Sequence, residues 1–193
     1  MENKMEEISL QRKLEALGQN GTLIRKDGKT FLQLDCENAK ELSMKWGEKL
    51  YPFTKTGKKW ILELPFSTPV NYVQICVDGQ EVLSPELPIA HGYGRPYNYI
   101  ELPDEDGLFE LRDVPHGTLT QEFYKSQISD NWEKLILYLP PCVPSAGLPV
   151  LYLQHGFGES EISWSTTGKV NILMDNLIAA GKIKPFAIVM GNG

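Results

Sequence analysis

Residues 148–158, Leu-Pro-Val-Leu-Tyr-Leu-Gln-His-Gly-Phe-Gly, are the stretch of this chain whose residue types and spacing could do chemistry. The run at 150–153 is apolar on both faces, which suits a strand covered on both sides, as parallel strands are. It stops abruptly at His155-Gly156-Phe157-Gly158. Glycines just past the carboxyl end of a strand let the backbone approach a ligand, and N–H groups there can face an open crevice instead of a ladder. Backbone donors aimed at one point stabilise an oxyanion, so the chemistry in view is acyl transfer. The competing reading is a tight strand exit with no ligand, and the residues by themselves leave both open.

Other residues carry the same kind of choice. His155 could act as a base, or could hold the loop through hydrogen bonds. Trp164 could line an acyl or sugar pocket with its flat face, or could pack the loop against the following helix. His116, in Pro115-His116-Gly117, reads as a turn residue at a domain junction before it reads as catalytic. Trp46, Trp60, Trp132 and the group Tyr93, Tyr97, Tyr99 could stack on carbohydrate or pack in cores and interfaces. Two nucleotide motifs are rejected: after Gly156 and Gly158 the third small position is Glu161, and Gly168-Lys169 is followed by Val170 where a magnesium-binding hydroxyl is needed.

Composition narrows the partners. With 193 residues, 41% hydrophobic, the chain can bury a substantial core in one large or two small domains. A net charge of -6 without a dense Lys/Arg run argues against nucleic acid and against an anionic membrane surface. Three cysteines, Cys36, Cys76 and Cys142, are odd in number and lack metal spacing, so they read as idle thiols, with no metal site indicated. No stretch is apolar enough to be a signal peptide or a membrane span, which gives the expectation of a cytoplasmic protein.

The elements that must position the loop follow from periodicity. Leu10, Leu14 and Leu17 lie at helical spacing before Gly18, so residues 1–18 form an N-terminal helical segment. Residues 19–110 carry short alternating runs at 22–25, 29–35, 39–46, 59–64, 70–77 and 97–102. Turn signals such as Asp27-Gly28 and Asp78-Gly79 separate them, the pattern of an immunoglobulin-like β-sandwich. Pro103, the acidic stretch that follows it and Pro115-His116-Gly117 mark a boundary, and residues 111–193 form a second domain. There, strands at 118–126 and 132–139 lead to the strand at 148–153. Val170, Leu173, Met174, Leu177 and Ile178 then make an amphipathic helix over 170–180, stopped by Gly181. A run at 186–190 completes a βαβ unit with parallel strands.

Pro115-His116-Gly117, residues 151–158, Trp164, residues 175–182 and residues 185–193 together resemble the esterase family of α/β-hydrolases that includes feruloyl, acetyl-xylan and enterochelin-type siderophore esterases. The resemblance implies an early-set immunoglobulin-like sandwich followed by an α/β-hydrolase with a mostly parallel sheet. It makes the backbone N–H of Phe157 an oxyanion donor, with His155, Gly156 and Gly158 supporting the loop and Trp164 a substrate-pocket candidate. It implies no cofactor and no metal, and as partner an ester substrate linked to carbohydrate in some members. The family's Gly-x-Ser-x-Gly elbow is missing, Ser160 lacks its context, and all three histidines lie at or before 155. Residues 111–193 are therefore expected to be the first part of a hydrolase domain, with nucleophile, acid and base outside this chain and no hydrolysis by the fragment. A carbohydrate- or protein-binding accessory module is the alternative. Truncation also predicts an unpaired sheet edge and self-association.

Overall fold

A computed structural model describes residues 22–104, 106–145 and 147–192; the helix expected near the N-terminus lies outside them. Period-2 burial sets the first unit, made of residues up to Ala90 with Pro96–Leu102. In β2 (Lys29–Asp35) Leu32 and Leu34 are buried, in β7 (Val70–Val77) Asn71, Val73 and Ile75, and in β10 (Arg95–Glu101) Asn98 and Ile100. One antiparallel sheet runs β1 (Leu23–Lys26), β2, β6 (Lys59–Glu63), β5 (Thr54–Thr56). The other runs β4 (Lys49–Pro52), β3 (Leu42–Trp46), β7, β10, β9 (Ile89–Gly92), with β8 (Gln80–Val82) also on β7. Leu32, Leu34, Trp60 and Leu62 from one sheet meet Met44, Val73, Ile75 and Ile100 from the other in a single core, so the unit is a β-sandwich.

Local chemistry explains the turns. Asp27-Gly28 and Asp78-Gly79 have the paired positive φ of two-residue hairpins, as their sequence predicts. The Asp78 carboxylate accepts the N–H groups of Lys40 and Glu41 at 2.8 and 2.9 Å. These bonds hold its carboxyl below the usual carboxylate range. Asn98, fully buried, accepts from Ser84 N and donates to the Ser84 and Leu87 carbonyls, closing the loop before β9. Among the aromatics, Trp60 is in the core and Trp46 packs on Phe66 with ring centroids 4.9 Å apart, whereas Tyr93 and Trp132 are exposed.

Strands β4, β5, β8 and β9 are absent from the expected set. They are three or four residues long; β5 and β8 bury nothing, so backbone pairing defines them and side-chain periodicity does not.

The second unit comprises His91–Arg95 and the residues from Pro103 onward. Its sheet runs β11 (Thr118–Lys125), β12 (Trp132–Leu139), β14 (Ala187–Gly191), β13 (Val150–Tyr152). Only β13 and β14 pair in parallel; β11–β12 and β12–β14 are antiparallel. Helix α1 (Ser163–Thr166), not anticipated, is one turn, and α2 (Val170–Ala179) matches the expected helix. Ile136 and Tyr138 of β12, Met174 of α2, and Ile188 and Met190 of β14 form the core.

One reading is corrected and one is extended. The strand ending in the glycine loop is not covered on both faces: β13 lies at the sheet edge, and Val150, Leu151 and Tyr152 are all exposed, Tyr152 by 78%. The strand is also paired on one side only, by β14, among the described residues. In α2 the stripe residue Met174 is buried with Val170 and Ile178 packed against the same core, as expected, and Asp175 and Asn176 beside it are buried as well because they are spent on hydrogen bonds. Among the described residues no helix is long and apolar enough to cross a membrane, and no group of three metal-ligating side chains occurs.

Candidate active site

The loop begins where the ladder ends. Leu153 N still bonds Val189 O at 2.9 Å, continuing β13 for one residue, and the chain then turns away through Gln154 and His155. Three side chains fix the turn. The Trp164 indole donates to Gln154 O at 2.8 Å, the Glu159 carboxylate accepts Gly156 N at 3.0 Å, and His155 Nδ1 lies 2.8 Å from Gly156 O. Glu159 N also bonds Gly156 O at 3.1 Å. A carbonyl can only accept, so Nδ1 is the protonated nitrogen of the His155 ring in that contact.

This geometry has a directional consequence. Gly156 O and Phe157 N–H belong to one planar trans peptide and point to opposite sides of it. Holding the carbonyl with His155 and Glu159 therefore aims the Phe157 N–H away from the loop's interior. Among the described residues that N–H meets no acceptor, and the Phe157 side chain is 89% exposed. A donor held on a preorganised loop can stabilise negative charge developing on a bound carbonyl oxygen. The buried Nε2 of His155 has no partner among the described residues, so one hydrogen-bonding position at the loop is still open.

The remaining candidates separate into loop and scaffold. His155, Gly156, Phe157 and Gly158 are together by sequence, and Trp164 is tied to them by its indole, so its N–H serves loop packing while the exposed ring still borders the loop. Ser160 N bonds the Ser163 hydroxyl at 3.2 Å, which places Ser160 at the entrance to α1 and not on a strand-to-helix elbow. His116 is not brought to the loop. Its Nδ1 lies 3.0 Å from Asp175 Oδ2 and its Nε2 3.1 Å from Arg112 O, a scaffold position.

Sequence reasoning missed the buried acids that hold this scaffold. Asp175 accepts the Tyr138 hydroxyl at 2.6 Å and Gly117 N at 3.0 Å, besides facing His116. Burial and that hydrogen bond push the Tyr138 phenol far above its usual value, so it stays a neutral donor. The neighbouring Asn176 donates to the Leu108 and Glu110 carbonyls. Glu161, 1% exposed, is paired with Lys134 Nζ at 2.6 Å, tying the glycine loop's exit to β12. The signal was present: adjacent Asp175-Asn176 inside an apolar helix is costly unless both are bonded.

No family model matches the chain. The endo-1,4-beta-xylanase/feruloyl esterase of Xylanibacter ruminicola is 31% identical over 190 residues, 91% of this chain and 26% of that protein. The enterobactin esterase of Shigella flexneri, in the presence of enterobactin, superposes with a TM-score of 0.58 at 11% identity over 88% of this chain and 54% of that one. The ferric enterobactin esterase of Salmonella typhimurium gives 0.58 at 8% identity, over 88% and 55%. The chain thus spans about a quarter of the curated relative it matches and about half of these two structures, and at such identity the structures speak to fold alone.

Proposed function

We propose that this chain is the N-terminal part of a serine carboxylic-ester hydrolase of the feruloyl, acetyl-xylan or siderophore esterase kind. Residues 19–110 are its immunoglobulin-like domain and residues 111–193 the opening portion of its α/β-hydrolase domain. The observation that carries the reading is the His155-held peptide, which presents the Phe157 N–H from a loop directly after a strand. Similarity to an esterase of Xylanibacter ruminicola over 91% of the chain supports the reaction class.

In the complete enzyme a serine supplied by the continuation of the chain attacks the ester carbonyl, and a histidine from the same continuation takes the proton. Phe157 N–H donates to the oxyanion as the carbonyl becomes tetrahedral. His155 positions that donor, Gly156 and Gly158 shape the loop, and Trp164 borders the acyl or sugar group. Nothing in this chemistry requires a cofactor. The substrate class is a carboxylic ester, carbohydrate-linked in the feruloyl and acetyl-xylan case. The test is turnover of a p-nitrophenyl ester together with labelling by a serine-directed phosphonate. Residues 1–193 alone are expected to show neither above buffer.

The exposed β13 edge supports a second expectation, self-association of this chain through unpaired backbone groups. Light scattering at tens of micromolar is expected to show species larger than a monomer, and Leu151→Lys is expected to shift them toward monomer. A monodisperse wild-type monomer contradicts this.

A further inference from the structure

The glycine loop is held from outside its own segment. Strands β9 and β10 are joined by Tyr93 and Gly94, which have φ of 52° and 76° and cluster with the second unit. Two positive φ values in a two-residue hairpin favour Asn-Gly or Asp-Gly, and a bulky aromatic residue there is an outlier. Of the five non-glycine residues with positive φ among the described residues, three are aspartates and Tyr93 is the one aromatic. An outlier of this kind persists where surrounding structure fixes it.

What fixes it is a two-point backbone contact. Tyr93 N donates to Phe157 O at 3.2 Å and Gly94 N donates to Gly158 O at 3.1 Å. The approach is close enough that a Cβ on Gly158, itself at φ +71°, would lie 2.1 Å from Gly94 N and 2.7 Å from Tyr93 Cα. Both atoms are backbone, so neither can swing aside.

We propose that the Tyr93-Gly94 tip is a positioning element for the oxyanion donor. His155 holds the peptide that contains the Phe157 N–H, and the tip holds the next two carbonyls, so residues 156–158 are fixed from both ends. This rests on the oxyanion reading given above. The tip acts through its backbone donors, so its side chain can change where its N–H groups are kept.

Hydrogen exchange on the 193-residue chain tests the contact. Gly158→Ala should raise exchange over residues 154–162 at least tenfold, with β7 and β12 unchanged. A hairpin retracted by deleting 91–92 and 95–96 should do the same without altering the loop's own sequence. Gly181→Ala carries similar φ strain, +65°, in open space and should leave that segment as it was. In the ester-hydrolysing gene product, the retracted hairpin should lower kcat at least tenfold with KM within twofold. Leu50→Ala, an exposed residue of β4, should retain kcat. Unchanged exchange at 154–162 in the retracted protein, or an unchanged kcat once the loop has loosened, overturns the proposal. Failure of the esterase reading looks different: the wild-type gene product hydrolyses no ester, and exchange alone then decides whether the tip holds the loop.

Discussion

Asp175→Ala is expected to destabilise the second unit by about 3–5 kcal/mol, a large share of the stability of any domain this size. The carboxylate is buried and accepts from Tyr138 Oη and Gly117 N while facing His116. Hydrogen bonds to a charged group contribute about 1.5–3 kcal/mol each, and truncation also strands a fully buried phenol. Asp175→Asn keeps one acceptor and should cost less. Lys125→Ala, at an exposed surface pair with Asp130, should stay within about 0.5 kcal/mol. Urea unfolding of the three variants against wild type checks the order. Equal stability of Asp175→Ala and Lys125→Ala would show that Asp175 does not hold this part of the second unit.

The second large effect is on rate. In a gene product that hydrolyses esters, His155→Ala is expected to lower kcat about 100-fold, the low end for losing an oxyanion-hole donor, because here the donor stays but its peptide is freed. KM should change little, since the bond is made in the transition state. Steady-state kinetics with wild type and His155→Ala settles it. The pH profile should keep its shape, because His155 orients a peptide and moves no proton. A lost acidic limb in that profile would instead assign His155 as the base, since a base is idle while protonated.

Much of this was legible in the sequence, and the exceptions have physical causes. Alternating burial in 29–35 and 70–77 marked the sandwich strands, and Asp78-Gly79 marked its hairpin. The helix over 170–180 showed itself in its apolar spacing, and Val170, Met174 and Ile178 pack on the core as that spacing implies; the burial of Asp175 and Asn176 did not show, because it depends on bonds to residues about 60 positions away. Apolar residues at 150–152 implied burial; their exposure depends on what lies over the strand's faces, which composition does not encode. The glycine loop was readable from His155 to Gly158, whereas its contact with Tyr93 and Gly94 was not, since backbone donors leave no trace in residue type. Tyr93 at a turn position that favours Asn was the one local irregularity available to flag it.

The most direct measurement is ester hydrolysis, with phosphonate labelling, by the full product of the source gene beside the 193-residue chain. The full product is expected to turn over a feruloyl or p-nitrophenyl ester and to be labelled at a serine beyond residue 193, while the 193-residue chain does neither. Turnover and labelling of the 193-residue chain itself would contradict the assignment of the nucleophile to the continuation. A reading frame that stops after codon 193, with no hydrolysis, would contradict the esterase reading and leave a binding module.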